Sequence, residues 1–182
     1  MRVVVAVTAA SGAIYARQCV ELLLRSDSVE RIALIYSREA EAVAEAEGVA
    51  MPEDSRIVKY SNDDMWAAPA SGSACWDAML VVPSTMGTIA RIASGVSQRL
   101  IERAADVMLK ERRRLVIVAR EAPYSLIHLR NMTTLTEAGA IIIPASPSFY
   151  FCPETIEELC LTISERAVGL AGVEVSHREW GE

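Results

Sequence analysis

Arg120 and Glu121 stand just past an apolar run, residues 115–118, with only Ala119 between. A cation and a carboxylate at the end of a buried segment have little freedom to drift. They therefore suit an ordered anionic ligand and the handling of a proton. Three other turns offer matching donors: Thr8-Ala9-Ala10-Ser11-Gly12, Pro83-Ser84-Thr85-Met86-Gly87-Thr88 and Pro144-Ala145-Ser146-Pro147-Ser148-Phe149-Tyr150. Small side chains let the N–H groups at a helix N-terminus approach an anion, and the helix dipole favours it there. The first turn has one glycine, Gly12, where dinucleotide loops usually have three. Alone, it fits an anion site and close packing of helix on strand equally well. Together the turns point to a phosphorylated ligand.

Further cations lie elsewhere. Arg103 and Lys110 are seven residues apart, which places them on one helix face about 10 Å from each other. That face is opposite the Leu/Ile/Met side, so the spacing also fits a solvated surface. The run Lys110-Glu111-Arg112-Arg113-Arg114 would equally suit a helix C-terminus. Arg166 sits at the rim of an apolar face, where arginines usually snorkel and from which one can reach a ligand or a neighbouring subunit. No metal site is expected. The four cysteines, Cys19, Cys75, Cys152 and Cys160, form no Cys-x-x-Cys, and the two histidines, His128 and His177, are far apart. Reduced thiols are the expectation.

Five apolar runs must position these turns: residues 3–7, 32–36, 79–82, 115–118 and 140–143. They are rich in Val and Ile and do not alternate with polar residues, the pattern of strands buried on both faces of a parallel sheet. Helical periodicity appears over 13–25 and 98–111. It returns after Thr155, where Thr155-Ile156-Glu157-Glu158 predicts a capping box. Ile156, Leu159, Cys160, Ile163, Ala167 and Leu170 then share one side of that last helix. Ser37, after the second run, reads as a helix N-cap. Residues 60–74 read as an irregular polar loop. The alternation predicts an α/β fold, a three-layer doubly wound sandwich around a parallel Rossmann- or flavodoxin-like sheet, in a single domain over 1–182. Ligands of such folds sit at the carboxyl ends of the strands, where the turns above lie.

Composition narrows the partners. A net charge of −6 argues against nucleic acid and anionic membranes. No apolar run approaches the roughly 18 residues of a membrane span, and the N-terminus lacks a signal-peptide core. A soluble, cytoplasmic protein is expected.

Several motifs combine into a resemblance. They are Ala10-Ser11-Gly12-Ala13-Ile14-Tyr15, Pro69-Ala70-Ser71-Gly72-Ser73, Arg103-Ala104-Ala105-Asp106-Val107 and Leu109-Lys110-Glu111-Arg112-Arg113. Arg120-Glu121-Ala122-Pro123, His128-Leu129-Arg130-Asn131-Met132 and Phe149-Tyr150 with Pro153 complete the set. The chain resembles, over nearly its whole length, the UbiX-type flavin prenyltransferases of the homo-oligomeric flavin-containing Cys decarboxylase superfamily. Such proteins have often been called aromatic-acid decarboxylases.

The resemblance implies transfer of a dimethylallyl group from dimethylallyl phosphate to reduced FMN, at N5 and then at C6, without a metal. The prenylated FMN would serve a separate decarboxylase. Ala9, Ala10, Ser11 and Ser37 would contact FMN, as would Ser84, Thr85, Met86, Gly87 and Arg120. Arg103, Lys110, Tyr150 and Arg166 would meet the substrate phosphate, with Arg120 and Glu121 close by. Ser11, Glu47 and Glu121 would handle or position protons, while Lys110 would act on the departing phosphate. Trp180 would turn an aromatic face to an allylic cation, and Trp66 lies near another family tryptophan. Family sites form between subunits of a homo-oligomer, with a dodecamer as the expected count. That would give a purpose to cations on an apparently solvated helix face.

The chain departs from the family pattern at Ala9, at Ser84 where cysteine is frequent, at Phe151-Cys152, and at Trp66, which is displaced from the family's tryptophan position. Ala9 stands where glycine is usual, and alanine tolerates positive φ poorly. Phe151-Cys152 stand where His-Arg or His-Gln is common. Two other readings stay open. An FMN-dependent cysteine-type decarboxylase of the same superfamily would carry an early active-site histidine and a Pro-x-Met-Asn loop, both absent here. A non-catalytic FMN-binding accessory subunit would have no need of Lys110, Tyr150 or Arg166.

Overall fold

The computed structural model describes residues 1–175. At its centre is a six-stranded, wholly parallel sheet. The strands are β1 (Arg2–Val7), β2 (Arg31–Tyr36), β3 (Ile57–Ser61), β4 (Ala78–Ser84), β5 (Arg114–Ala119) and β6 (Ile141–Pro144), in the order β3-β2-β1-β4-β5-β6. Helices α1 (Ala13–Arg25), α2 (Ala40–Ala46), α3 (Met86–Ala93), α4 (Leu100–Lys110) and α5 (Leu126–Glu137) lie between strands, and α6 (Ile156–Leu170) follows β6. This is the expected doubly wound sandwich, and its strand order reverses between β1 and β4.

Alternation along the strands assigns the layers. Val3, Val5, Leu34, Leu80 and Val116 pack with Leu23 of α1 and Ile163 and Val168 of α6. Val4, Ile35, Met79, Leu115 and Ile117 pack with Ile89 of α3, Ile101 and Met108 of α4, and Leu135 of α5. Both faces of the sheet are dry, which is why its inner strands read as unbroken apolar runs. Each fully buried Leu or Ile contributes about 1.5–3 kcal/mol, so the strand ends that carry the loops are held firmly.

β3 is a sixth strand that the apolar runs do not predict. It lies at the sheet edge and is half-buried, so Ile57-Val58-Lys59-Tyr60-Ser61 has no need to be continuously apolar. It takes up the start of the expected irregular loop. Two 3-10 turns, Ala68–Ala70 and Gly72–Ala74, take up much of the rest.

Two caps also differ from expectation. Glu39, not Ser37, occupies the N-cap of α2; the Ser37 carbonyl instead accepts the Ala40 N–H at 3.0 Å. Thr155 does cap α6, its hydroxyl accepting the Glu158 N–H at 3.1 Å. The Glu158 carboxylate, however, returns to the N–H of Glu154 at 2.8 Å rather than to Thr155. On α6, Cys160, Ile163 and Ala167 are buried as expected, whereas Ile156 is exposed. Cys19 and Cys160 are buried free thiols, and Cys75 and Cys152 are exposed ones. Among the described residues no helix is long and apolar enough to cross a membrane.

Candidate functional site

The reversal of strand order opens the carboxyl edge of the sheet between β1 and β4. Thr8 clasps that gap. Its hydroxyl donates to the Pro83 carbonyl at 2.8 Å and accepts the Thr85 N–H at 2.8 Å. Thr85 in turn caps α3, its hydroxyl accepting the Thr88 N–H at 3.2 Å and lying 3.0 Å from the Thr88 hydroxyl. Beside the clasp is a cavity of about 880 Å³, with Ala9, Tyr36, Ser37, Tyr60, Thr85 and Thr88 on its walls. That volume suits a cofactor-sized ligand. Three expected flavin contacts, Ala9, Ser37 and Thr85, thus share one cavity. Ala10, Ser84 and Met86 are buried behind the surface, and Gly87 is exposed on the first turn of α3. The Ser84 carbonyl accepts the Arg120 N–H at 3.1 Å, which ties the ends of β4 and β5 together.

Two residues beyond Ala9, the same loop joins a second cluster. Glu47, just past α2, accepts the Gly12 N–H at 2.9 and 3.0 Å and the Ala13 N–H at 2.7 Å. Gly12 has φ +104° as the N-cap of α1, and a Cβ there would lie 2.8 Å from the Tyr15 ring. Only glycine serves at that position. The α1 donors that the sequence offers to an external anion are therefore met by the protein's own carboxylate.

Burial pushes the Glu47 carboxyl upward. The hydrogen bonds from the Ser11 side chain, Gly12 and Ala13, with the charge of Arg120, outweigh it and hold the group below the usual carboxylate range. Burial, reinforced by Cys160, pushes the Tyr15 hydroxyl up to about 12 against the opposing charge of Arg120. Ser11, Glu47 and Arg120 thus converge on one side of the loop while Ala9 faces the cavity. Among the described residues the non-glycine positive-φ positions are Cys75, Arg112 and Cys152, so Ala9 sits in the loop without that strain. Glu121 is exposed at the same edge, its carboxylate accepting the Ala122 N–H at 3.0 Å.

The remaining cations are dispersed within the protomer. Lys110 ends α4 near the start of β5, whereas Arg120 follows its last residue. Six strand residues set those edges about 20 Å apart. Arg166 is exposed on α6, in the opposite helical layer from α4. Tyr150 is 71% exposed in the turn beyond β6. Lys110, Tyr150 and Arg166 therefore do not meet within one chain.

Nor is the Arg103–Lys110 face simply solvated. Arg103 donates to the Ala70 carbonyl at 3.1 Å and to Asp106 at 2.6 Å. Lys110 pairs with Glu111, and Arg113 donates to the Gly72 carbonyl at 3.0 Å. A Cβ on Gly72 would lie 3.1 Å from the Lys110 Nζ, so the 68–74 turns rest directly on the end of α4. Trp66 is 98% exposed. Trp180 lies outside the described residues.

Tyr36, Arg91 and Glu102 line the cavity although the sequence assigns them no role, and Thr8 and Thr88, which it offers only as turn donors, build the clasp and the cap beside it. Two of them carried a signal. Thr88 stands three residues after Thr85, the spacing of a hydroxyl cap, and Glu102 is a lone carboxylate on an apolar helix face. The contact between Arg91 and Glu102 joins two helices and left no local trace.

A model of the flavoprotein family matches residues 1–170. The chain is 38% identical over 185 residues to the flavin prenyltransferase UbiX of Methanocaldococcus jannaschii, covering 100% of this chain and 99% of the relative. The solved complex of AnUbiX (PadA1) with FMN and dimethylallyl pyrophosphate is 41% identical, with a TM-score of 0.88 over 98% of each chain. A dodecameric FMN-dependent UbiX-like decarboxylase from Escherichia coli O157:H7 is 34% identical, with a TM-score of 0.91 over 100% of each chain.

Proposed function

The chain belongs to the UbiX-type flavin prenyltransferases of the flavoprotein family, and on that premise we propose that it joins the dimethylallyl group of dimethylallyl phosphate to reduced FMN. The prenylated FMN would pass to a separate decarboxylase. One observation carries this reading: a single loop serves two neighbouring places. Ala9 lines a cavity of cofactor size, and Ser11 is bonded to an ionised Glu47 that feels Arg120. FMN fits those residues. The cavity has hydroxyls on Ser37, Thr85 and Thr88, aromatic rings on Tyr36 and Tyr60, and the N-terminus of α3 for a phosphate.

Reduced FMN supplies the nucleophilic N5 and C6 positions. The chain's residues would do the rest. Arg120 orients the flavin and adds positive charge beside the donor. When the allylic C–O bond breaks, its electron pair leaves with the phosphate, whose charge Arg103, Lys110, Tyr150 and Arg166 would meet. Glu47, kept ionised, holds the Ser11 hydroxyl and accepts or relays a proton, and the departing phosphate can act as a base in ring closure. Glu121 stands close by as a second carboxylate.

Lys110 and Arg120 lie at opposite sheet edges of one protomer, so their cooperation requires more than one subunit. We therefore read the working form as a cytoplasmic homo-oligomer with sites shared between protomers, of dodecameric count like the similar assembly. The cysteine-decarboxylase alternative lacks support, because both histidines, His128 and His177, come late in the chain.

The test is to incubate the protein anaerobically with reduced FMN and dimethylallyl phosphate and to weigh the flavin. A gain of one C5H8 unit is expected. Unchanged flavin in a protein that binds both ligands would overturn the prenyltransferase reading in favour of an accessory subunit.

A further inference from the structure

We propose that Arg91, held by Glu102, lets this site distinguish a flavin that bears a terminal phosphate from one that does not. The inference rests on the reading of the cavity as an FMN site. Glu102 is only 3% exposed, on a helix face that is otherwise apolar. Its Oε1 accepts the Arg91 Nε at 2.6 Å, and its Oε2 has no hydrogen-bond partner. A buried carboxylate with one oxygen unpaired is destabilising, and an apolar side chain would fill the place at lower cost. What the carboxylate does is aim Arg91.

With Nε tied to Glu102 and Nη2 donating to the Thr88 hydroxyl at 3.1 Å, the guanidinium folds back over the first turn of its own helix. Its Nη1 lies 3.4 Å from where a Gly87 Cβ would stand, which places the guanidinium beside the second residue of the helix. The first N–H groups of a helix have no partner inside the helix. In α3 that of Thr88 is taken by Thr85, leaving Met86 and Gly87 as open donors. At the other helix N-terminus of the switch point, Glu47 already occupies Gly12 and Ala13. The α3 terminus is thus the one available to an outside anion, and it is the one Arg91 covers.

The other cations on the cavity wall are turned elsewhere: Arg99 pairs with Asp63, Arg38 pairs with Glu39, and Lys59 is exposed on the edge strand. Amides, two threonine hydroxyls and a fixed guanidinium edge match a dianionic phosphate. Because Glu102 neutralises much of its partner's charge, Arg91 contributes direction, and its pre-set geometry limits the entropy lost on binding.

FMN and riboflavin differ only in the phosphate, so each is titrated into the wild type, Arg91→Ala, Arg91→Lys and Glu102→Gln, with flavin fluorescence as readout. Arg91→Ala is expected to weaken FMN about 10- to 100-fold, the loss of a charge-assisted bond, and riboflavin by less than about twofold. Arg91→Lys should recover part of the difference, since an ammonium restores charge without the fork. Glu102→Gln keeps an acceptor for the Arg91 Nε and removes a negative charge beside the phosphate, so it should raise FMN affinity while leaving riboflavin unchanged, which a merely structural role would not do. Equal effects on both flavins in Arg91→Ala, or no effect on either, would overturn the inference. A wild type that binds the two flavins equally overturns it alone; a wild type that binds neither overturns the FMN reading as well.

Discussion

Thr85 donates its backbone N–H to the Thr8 hydroxyl at 2.8 Å, across the point where the strand order reverses. The same hydroxyl donates to the Pro83 carbonyl, so one buried side chain sets the spacing of both loops that border the cavity. Thr8→Val keeps the shape and removes the clasp. The Pro83 carbonyl retains the Thr8 N–H at 3.2 Å, but the Thr85 N–H is left without its partner. A loss of about 1–3 kcal/mol in chemical denaturation is expected, with weakened FMN binding. A variant as stable as the wild type would show that the loops are held by other means.

Glu47 should make stability depend on acid. Its folded pKa is lowered, so its contribution is complete above the ordinary carboxylate value of about 4.3 and is lost as pH falls through the lower folded value. Glu47→Gln removes the charge at every pH. The gap in unfolding midpoint between the wild type and Glu47→Gln should be widest near neutrality and narrow below about pH 4. A constant gap across that range would mean that the charge is immaterial and only the shape of the side chain counts.

A shared site has a signature in mixed assemblies. Lys110→Ala and Arg120→Ala should each abolish prenyl transfer. Lys110→Ala should weaken use of the dimethylallyl phosphate while leaving FMN affinity intact. When the two variants are co-assembled, sites that draw Lys110 from one protomer and Arg120 from another are restored. About a quarter of wild-type activity should return under random mixing of two chain types. No recovery in a verified mixed oligomer would overturn the reading that one site draws Lys110 and Arg120 from different protomers.

Much of this was legible in the chain. Residues 79–82 and 115–118 had to be central strands because nothing polar interrupts them, and Thr155 announced the start of α6. β3 escaped because an edge strand needs to bury only part of itself, so Lys59 and Ser61 are as acceptable as valine would be. The loop 8–12 misled in an instructive way. Its small residues do open a helix N-terminus, but what that terminus holds depends on Glu47, 35 residues on from Gly12.

The sequence by itself determined the layers, the parallel sheet and the edge at which chemistry belongs. Those follow from periodicity and turn composition, which are written within a few residues of each other. Tertiary structure alone decided which helix terminus is filled by Glu47 and which stays open, that Glu102 aims Arg91, and that Lys110 stands a whole strand length away from Arg120. Each of those facts is a distance between elements remote in the chain, and a buried charge can be judged only once its partner's position is known.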